Sequence, residues 1–192
     1  DGSKPLRGKI RRLHMATFVL VVGAWEAGWA WKWVSPLLRE AGHDVYTPSL
    51  TGLGERSHLL SREVDQETHI QDVLGVIKWS QLDNITLVGH SYGGMVVTGV
   101  ADRAHSKIGS LIYFDAFMPE NGQALLDLSL PERADSMRQL AEEKGEGYYV
   151  PPLPASSWHV HDPEHAAFLE KLSTPHPLAT MTQKLSLSDN HL

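Results

Sequence analysis

Short apolar runs that end in glycine or proline alternate along this chain with stretches in which apolar residues recur every three or four positions. TFVLVVG (17–23) is a β-branched run closed by glycine, as in a strand covered on both faces. GWAWKWVSPLLREAG (28–42) carries apolar residues at helical spacing and stops at Gly42, a C-cap signal. HDVYTPSL (43–50) reads as a second strand, ETHIQDVLGVIKWSQL (67–82) as an amphipathic helix and NITLVGH (84–90) as a third strand. GGMVVTGVADRAH (93–105) begins a helix, and GSLIYFDAF (109–117) is a fourth strand. Strand and helix alternating with connections this short predict a parallel sheet made by right-handed crossovers. A doubly wound sheet would order the strands second, first, third, fourth.

The run ITLVGHSYGGMVV (85–97) places a serine where the third strand must turn straight into a helix. Gly89-His90-Ser91-Tyr92-Gly93 fits G-x-S-x-G, the nucleophile elbow, in which the serine occupies a strained turn and the flanking glycines let strand and helix approach. An acyl-transfer serine also needs donors for an oxyanion, normally the N–H of the next residue and one from the loop after the first strand. Tyr92 and Ala24 occupy those places.

Composition narrows the classes. At 192 residues, 42% hydrophobic and 21% charged, the chain is an ordinary globular one of one or two domains. A net charge of −6 argues against nucleic acid and anionic membrane surfaces as partners, and no apolar run reaches the ~18 residues of a membrane span. Cysteine is absent, which excludes thiolate nucleophiles and cysteine zinc sites and leans the expected location towards the cytoplasm. Residues 1–15, with five Lys/Arg and one Asp, read as a leader added in cloning, with Met15 as the native start; a basic nucleic-acid arm is the other reading.

The stretches VVGAWEAGWAWKWVSPLLREAGHDVYTPSLTGLGERSHL, GHSYGGM and LIYFDAFMPENGQ, in that order, resemble the α/β-hydrolases. Within them they look like the esterase-like branch related to plant methylesterases and hydroxynitrile lyases, and in particular its bacterial esterase-like members. The resemblance implies an α/β-hydrolase core over 16–118, a helical lid over 119–182 and the start of a return to the core over 183–192. The family's last strands, which carry the acid and then the general-base His, would lie past residue 192. Lyases of the branch place Thr where Gly23 stands and Cys where Tyr92 stands, so the esterase side is expected. Family members often have a second His where this chain has Glu26, and an ionised Glu26 would oppose an oxyanion.

The resemblance thus implies ester hydrolysis through Ser91, without cofactor or metal, on a small apolar ester. Trp25, His90, Phe117, Met118, Leu125, Leu126 and Trp158 would wall the pocket. Asp115, which ends the fourth strand, is an in-chain candidate for the acid, with a structural role as its other reading. Among the histidines, His58 and His69 read as solvated surface residues. His159, His161, His165, His176 and His191 fall in the lid or its exit, where a base could reach Ser91 only by unusual folding; His159-x-His161 with His165 has metal-ligand spacing but no evident fourth ligand. A non-catalytic binding module on the same scaffold and a carbon-carbon lyase are the alternatives. Without further strands the fourth would be an apolar edge, so a second copy or a separate C-terminal fragment is expected to pair along residues 110–117.

Overall fold

The computed structural model describes residues 15–188. Four parallel strands, β1 (Thr17–Val21), β2 (Asp44–Tyr46), β3 (Ile85–Ser91) and β4 (Ile108–Ala116), form a sheet in the order β2-β1-β3-β4, as the alternation predicts. The strand order reverses between β1 and β3, and that crevice at the carboxyl ends is where open α/β sheets bind ligands.

The predicted helix over 28–42 is two elements, a 3₁₀ turn (Gly28–Trp31) and a separate helix α1 (Ser35–Glu40). Pro36 is the reason: it sits in the first turn of α1 and lacks the N–H that a continuing helix would need. The second strand is only Asp44–Tyr46, because Pro48 follows at once and cannot donate to a ladder. Helix α2 (Gln66–Trp79) starts in a capping box, with the Asp65 side chain accepting from Thr68 N–H at 2.9 Å. Its buried residues Gln66, His69, Ile70, Val73 and Ile77 recur at helical spacing. Helix α3 (Gly93–Ala104) is buried along its first nine residues and packs on β1, β3 and β4.

After β4 the chain forms α4 (Pro131–Lys144), β5 (Tyr149–Val150), α5 (Pro163–Leu172), β6 (His176–Pro177) and α6 (Leu178–Thr182). β5 and β6 pair antiparallel as a separate ribbon. Residues 185–188 then return towards the core, where Leu185 exchanges backbone hydrogen bonds with the 122–123 turn and Ser188 caps onto Asp102 of α3.

Candidate active site

Ser91 ends β3 with a left-handed backbone, φ 52°, and Tyr92 turns directly into α3. The elbow is possible only because its neighbours are glycines. A methyl group at Gly89 would stand 2.7 Å from Val97 Cγ2 and 2.8 Å from Gly93 O, and one at Gly93 would stand 2.6 Å from Val22 O of the first strand's exit. Two further residues at the same end of the sheet are left-handed without being glycine, Trp25 (φ 65°) after β1 and Asp115 (φ 45°) in β4. Asp115 is the extra residue of a β-bulge, since His90 pairs with Phe114 and Ser91 with Ala116. Strain of this kind at three neighbouring strand ends is typical of a functional site.

Ala24, Trp25, Ser91 and Tyr92 line a small hollow of about 30 Å³. It adjoins a larger cavity of about 740 Å³ that Ser91, Ala24, Trp25, His90, Asp115, Phe117 and Trp158 also line. Among the described residues neither the Ala24 N–H nor the Tyr92 N–H has a backbone or side-chain acceptor. Two unpaired amide donors therefore sit with the serine at one hollow. The two peptides around the Ala24 N–H are pinned: Gly23 N–H donates to Glu26 Oε2 at 3.3 Å, and Trp25 N–H donates to His176 Nδ1 at 3.2 Å. Glu26 Oε2 also lies 3.5 Å from His90 Nδ1, so this carboxylate anchors the loop as well as adding charge beside it.

One expectation about histidine fails. His69 is fully buried rather than solvated, because it lies on the apolar stripe of α2. Its Nε2–H donates to Thr51 O at 2.8 Å, which leaves Nδ1 to accept the Tyr92 hydroxyl at 2.9 Å. Burial pushes its pKa down to about 4, against the pull of the Thr51 hydrogen bond and of Asp72. His176 is also fully buried, and β6 carries it to the elbow: its ring meets that of Tyr92 edge to face, with centroids 4.8 Å apart. Burial first, then His69, hold its pKa well below the usual histidine range. The Tyr92 hydroxyl is pushed up by burial.

Of the pocket candidates, Trp25, His90, Phe117, Leu125 and Trp158 face the hollow or the cavity, with Leu126 beside Leu125. Met118 does not; its residue is 68% exposed and outside both. Arg133 of α4, which the sequence reading passed over, lines both spaces with its guanidinium 5.1 Å over the Trp158 ring. Asp115 faces the larger cavity without a histidine partner among the described residues. The Ser91 hydroxyl likewise has no hydrogen-bond partner there. His58 is exposed, as expected. His159, His161 and His165 do not converge: His165 pairs with Asp162 at 3.7 Å and with Trp33, while the His159 and His161 rings are 6.2 Å apart. His191 lies outside the described residues.

A strained serine between a parallel strand and a helix, at the switch point of the sheet and beside two unpaired amides, defines the α/β-hydrolase type of site. A sequence model of the alpha/beta hydrolase family matches residues 18–189, and the chain belongs to that family. It is 44% identical over 182 residues to a carbendazim hydrolyzing esterase of Nocardioides sp. (strain SG-4G), across 91% of this chain and 74% of that protein. Methylesterase 9 of Arabidopsis thaliana is 32% identical over 107 residues, 55% of this chain and 42% of that protein. Among solved structures, an extracellular α/β-hydrolase from a Paenibacillus species, described as sharing structural and functional homology with tobacco salicylic acid binding protein 2, superposes with a TM-score of 0.82 at 29% identity. That match covers 90% of this chain and 72% of the other. The chain is thus a hydrolase-family member whose relatives include named esterases and methylesterases. No described helix is long and apolar enough to cross a membrane.

Proposed function

We propose that the protein is a carboxylic ester hydrolase working through an acyl-enzyme at Ser91. Ser91 Oγ attacks the ester carbonyl, the Ala24 and Tyr92 amides receive the oxyanion, and the alcohol leaves before water releases the acid. Such chemistry needs no cofactor or metal. The observation that carries this reading is the left-handed Ser91 at a hollow with two amide donors that nothing in the described protein accepts from. The proton acceptor for Ser91 comes, on this proposal, from outside residues 15–188, since no described histidine bonds to its hydroxyl.

The segment over 119–182 would act as the lid, with Phe117, Trp158 and Leu153 offering apolar walls and Arg133 and Glu26 polar points. A cavity of about 740 Å³ falls within the ~300–1,000 Å³ usual for small-molecule sites, which suits a small, largely apolar ester. The unpartnered Ser91 hydroxyl is what favours the second reading, a binding module that keeps the pocket without turnover.

A fluorophosphonate probe and a set of small aryl and methyl esters separate the readings. Labelling at Ser91, with ester turnover lost in Ser91→Ala, is expected. Tight ligand binding without labelling would support the binding module. Cyanide release from mandelonitrile rivalling ester hydrolysis would move the assignment to a lyase, against the Gly23 and Tyr92 that stand in this chain.

A further inference from the structure

Trp25 keeps its left-handed backbone because partners far along the chain hold it from three sides. Its indole N–H donates to Val150 O at 3.0 Å, its carbonyl accepts from Thr174 N–H at 3.0 Å, and its own N–H donates to His176 Nδ1 at 3.2 Å. A bulky residue stays in that region of backbone space only where its surroundings over-determine it. The third bond has a chemical condition. Thr180 Oγ1 donates to Pro177 O at 2.8 Å, so it receives the proton on His176 Nε2 at 2.8 Å, which leaves Nδ1 as an acceptor. The imidazole is thereby held in one tautomer and aimed at one amide.

That amide belongs to the Ala24–Trp25 peptide, and Glu26 pins the Val22–Gly23 peptide. The Gly23–Ala24 peptide, whose N–H is the oxyanion donor on the reading above, lies between the two and can turn only if one of them lets go. Tyr92, the residue of the second donor, is fixed by a parallel device: its hydroxyl donates to His69, and the three rings form a triangle, with His69 5.7 Å and His176 4.8 Å from Tyr92 and 5.9 Å from each other.

We propose that His176 is a positioning residue for ester hydrolysis: through the Trp25 amide it aims the Ala24 N–H at the oxyanion, with His69 holding the Tyr92 side of the same hole. The inference rests on the serine-hydrolase reading. Neither histidine touches the reacting atoms: His176 acts through Trp25, the residue after one donor, and His69 through the side chain of Tyr92, the residue of the other.

The test compares the protein with His176→Leu, His176→Asn and Thr180→Val, using turnover of an aryl ester and the rate of fluorophosphonate labelling of Ser91 at pH 8. In His176→Leu, kcat and the labelling rate should fall roughly 10- to 100-fold, as for a misplaced catalytic group, while KM stays within about 2-fold. His176→Asn, whose Oδ1 can stand in for Nδ1 as acceptor, should recover most of the loss. Thr180→Val keeps the ring but frees its Nε2–H, and should fall between them. A folded His176→Leu variant reacting at the parent rate, or a His176→Asn variant as slow as it, would overturn the proposal. If His176→Leu does not fold, Thr180→Val at the parent rate overturns it. A parent protein unlabelled at Ser91 removes the hydrolase reading and this inference together; a labelled parent with indifferent variants removes the inference alone.

Discussion

Single residues decide whether the elbow can exist. A methyl at Gly93 meets two carbonyl oxygens of the first strand's exit, Val22 O at 2.6 Å and Val21 O at 2.8 Å, and backbone cannot swing aside as a side chain would. Gly93→Ala should therefore cost about 1–3 kcal/mol and lower the thermal midpoint, with loss of Ser91 labelling. Gly75→Ala is the control: it sits inside α2 with only Trp79 Cδ1 at 4.0 Å, so the same change should stabilise by about 0.5–1 kcal/mol. Equal effects at both sites, measured by calorimetry, would sink the steric account of the elbow. This elbow was legible in the sequence because its requirements are local, one serine and two glycines in five residues. His69 was misread although its signal was present, since it continues the spacing of Ile70, Val73 and Ile77 on the buried face of α2. His176 carried no such signal. Its contacts are with residues 25 and 92, which only the folded chain brings near.

Elements were legible where pattern and punctuation agreed, as in β1, α2, β3 and α3, and were misjudged where a proline overrode the apolar pattern, as at Pro36 and Pro48. The segment after β4 was expected as helices alone, yet its two-residue strands β5 and β6 carry two of the three residues that hold Trp25. Helix α2 and strand β6 each bury a neutral histidine, and this sets a pH dependence. His69 has an unfolded value near 6.5 and a folded value of about 4, so between those limits the unfolded chain binds more protons. Stability from this group is complete above pH 6.5 and is lost as the pH falls towards 4; His176 acts in the same direction. Around His69, Asp72 and Asp65 pull its value up while Arg56 opposes them, and His176 faces His69 and Tyr92. Each histidine should withdraw up to about 1.4 kcal/mol per pH unit within its window. Urea midpoints should fall steadily from pH 7 to pH 4.5. A flat profile between pH 6.5 and pH 5 would mean that neither ring stays neutral in the folded protein.

At the scale of the molecule, β4 is the last strand of the sheet among the described residues, with Ile112 42% and Phe114 59% exposed. Proteins rarely leave a nine-residue, mostly apolar edge strand unpaired. We propose that a further strand, from a second copy or from a separate segment, pairs along residues 110–117. Amide exchange there should be slow, and slower still at higher protein concentration if a second copy is the partner; exchange at loop rates at every concentration would overturn the pairing. The hold on Trp25 has a consequence in time as well as in space. Its partners Val150 and His176 lie 125 and 151 residues further along. A ribosome adding about 5–20 residues per second delivers the second of them roughly 8–30 s after Trp25 itself. In the later part of that interval the nascent chain already contains Ser91 but not the partners that hold the turn after β1 in its strained form, so synthesis itself delays the assembly of the candidate site.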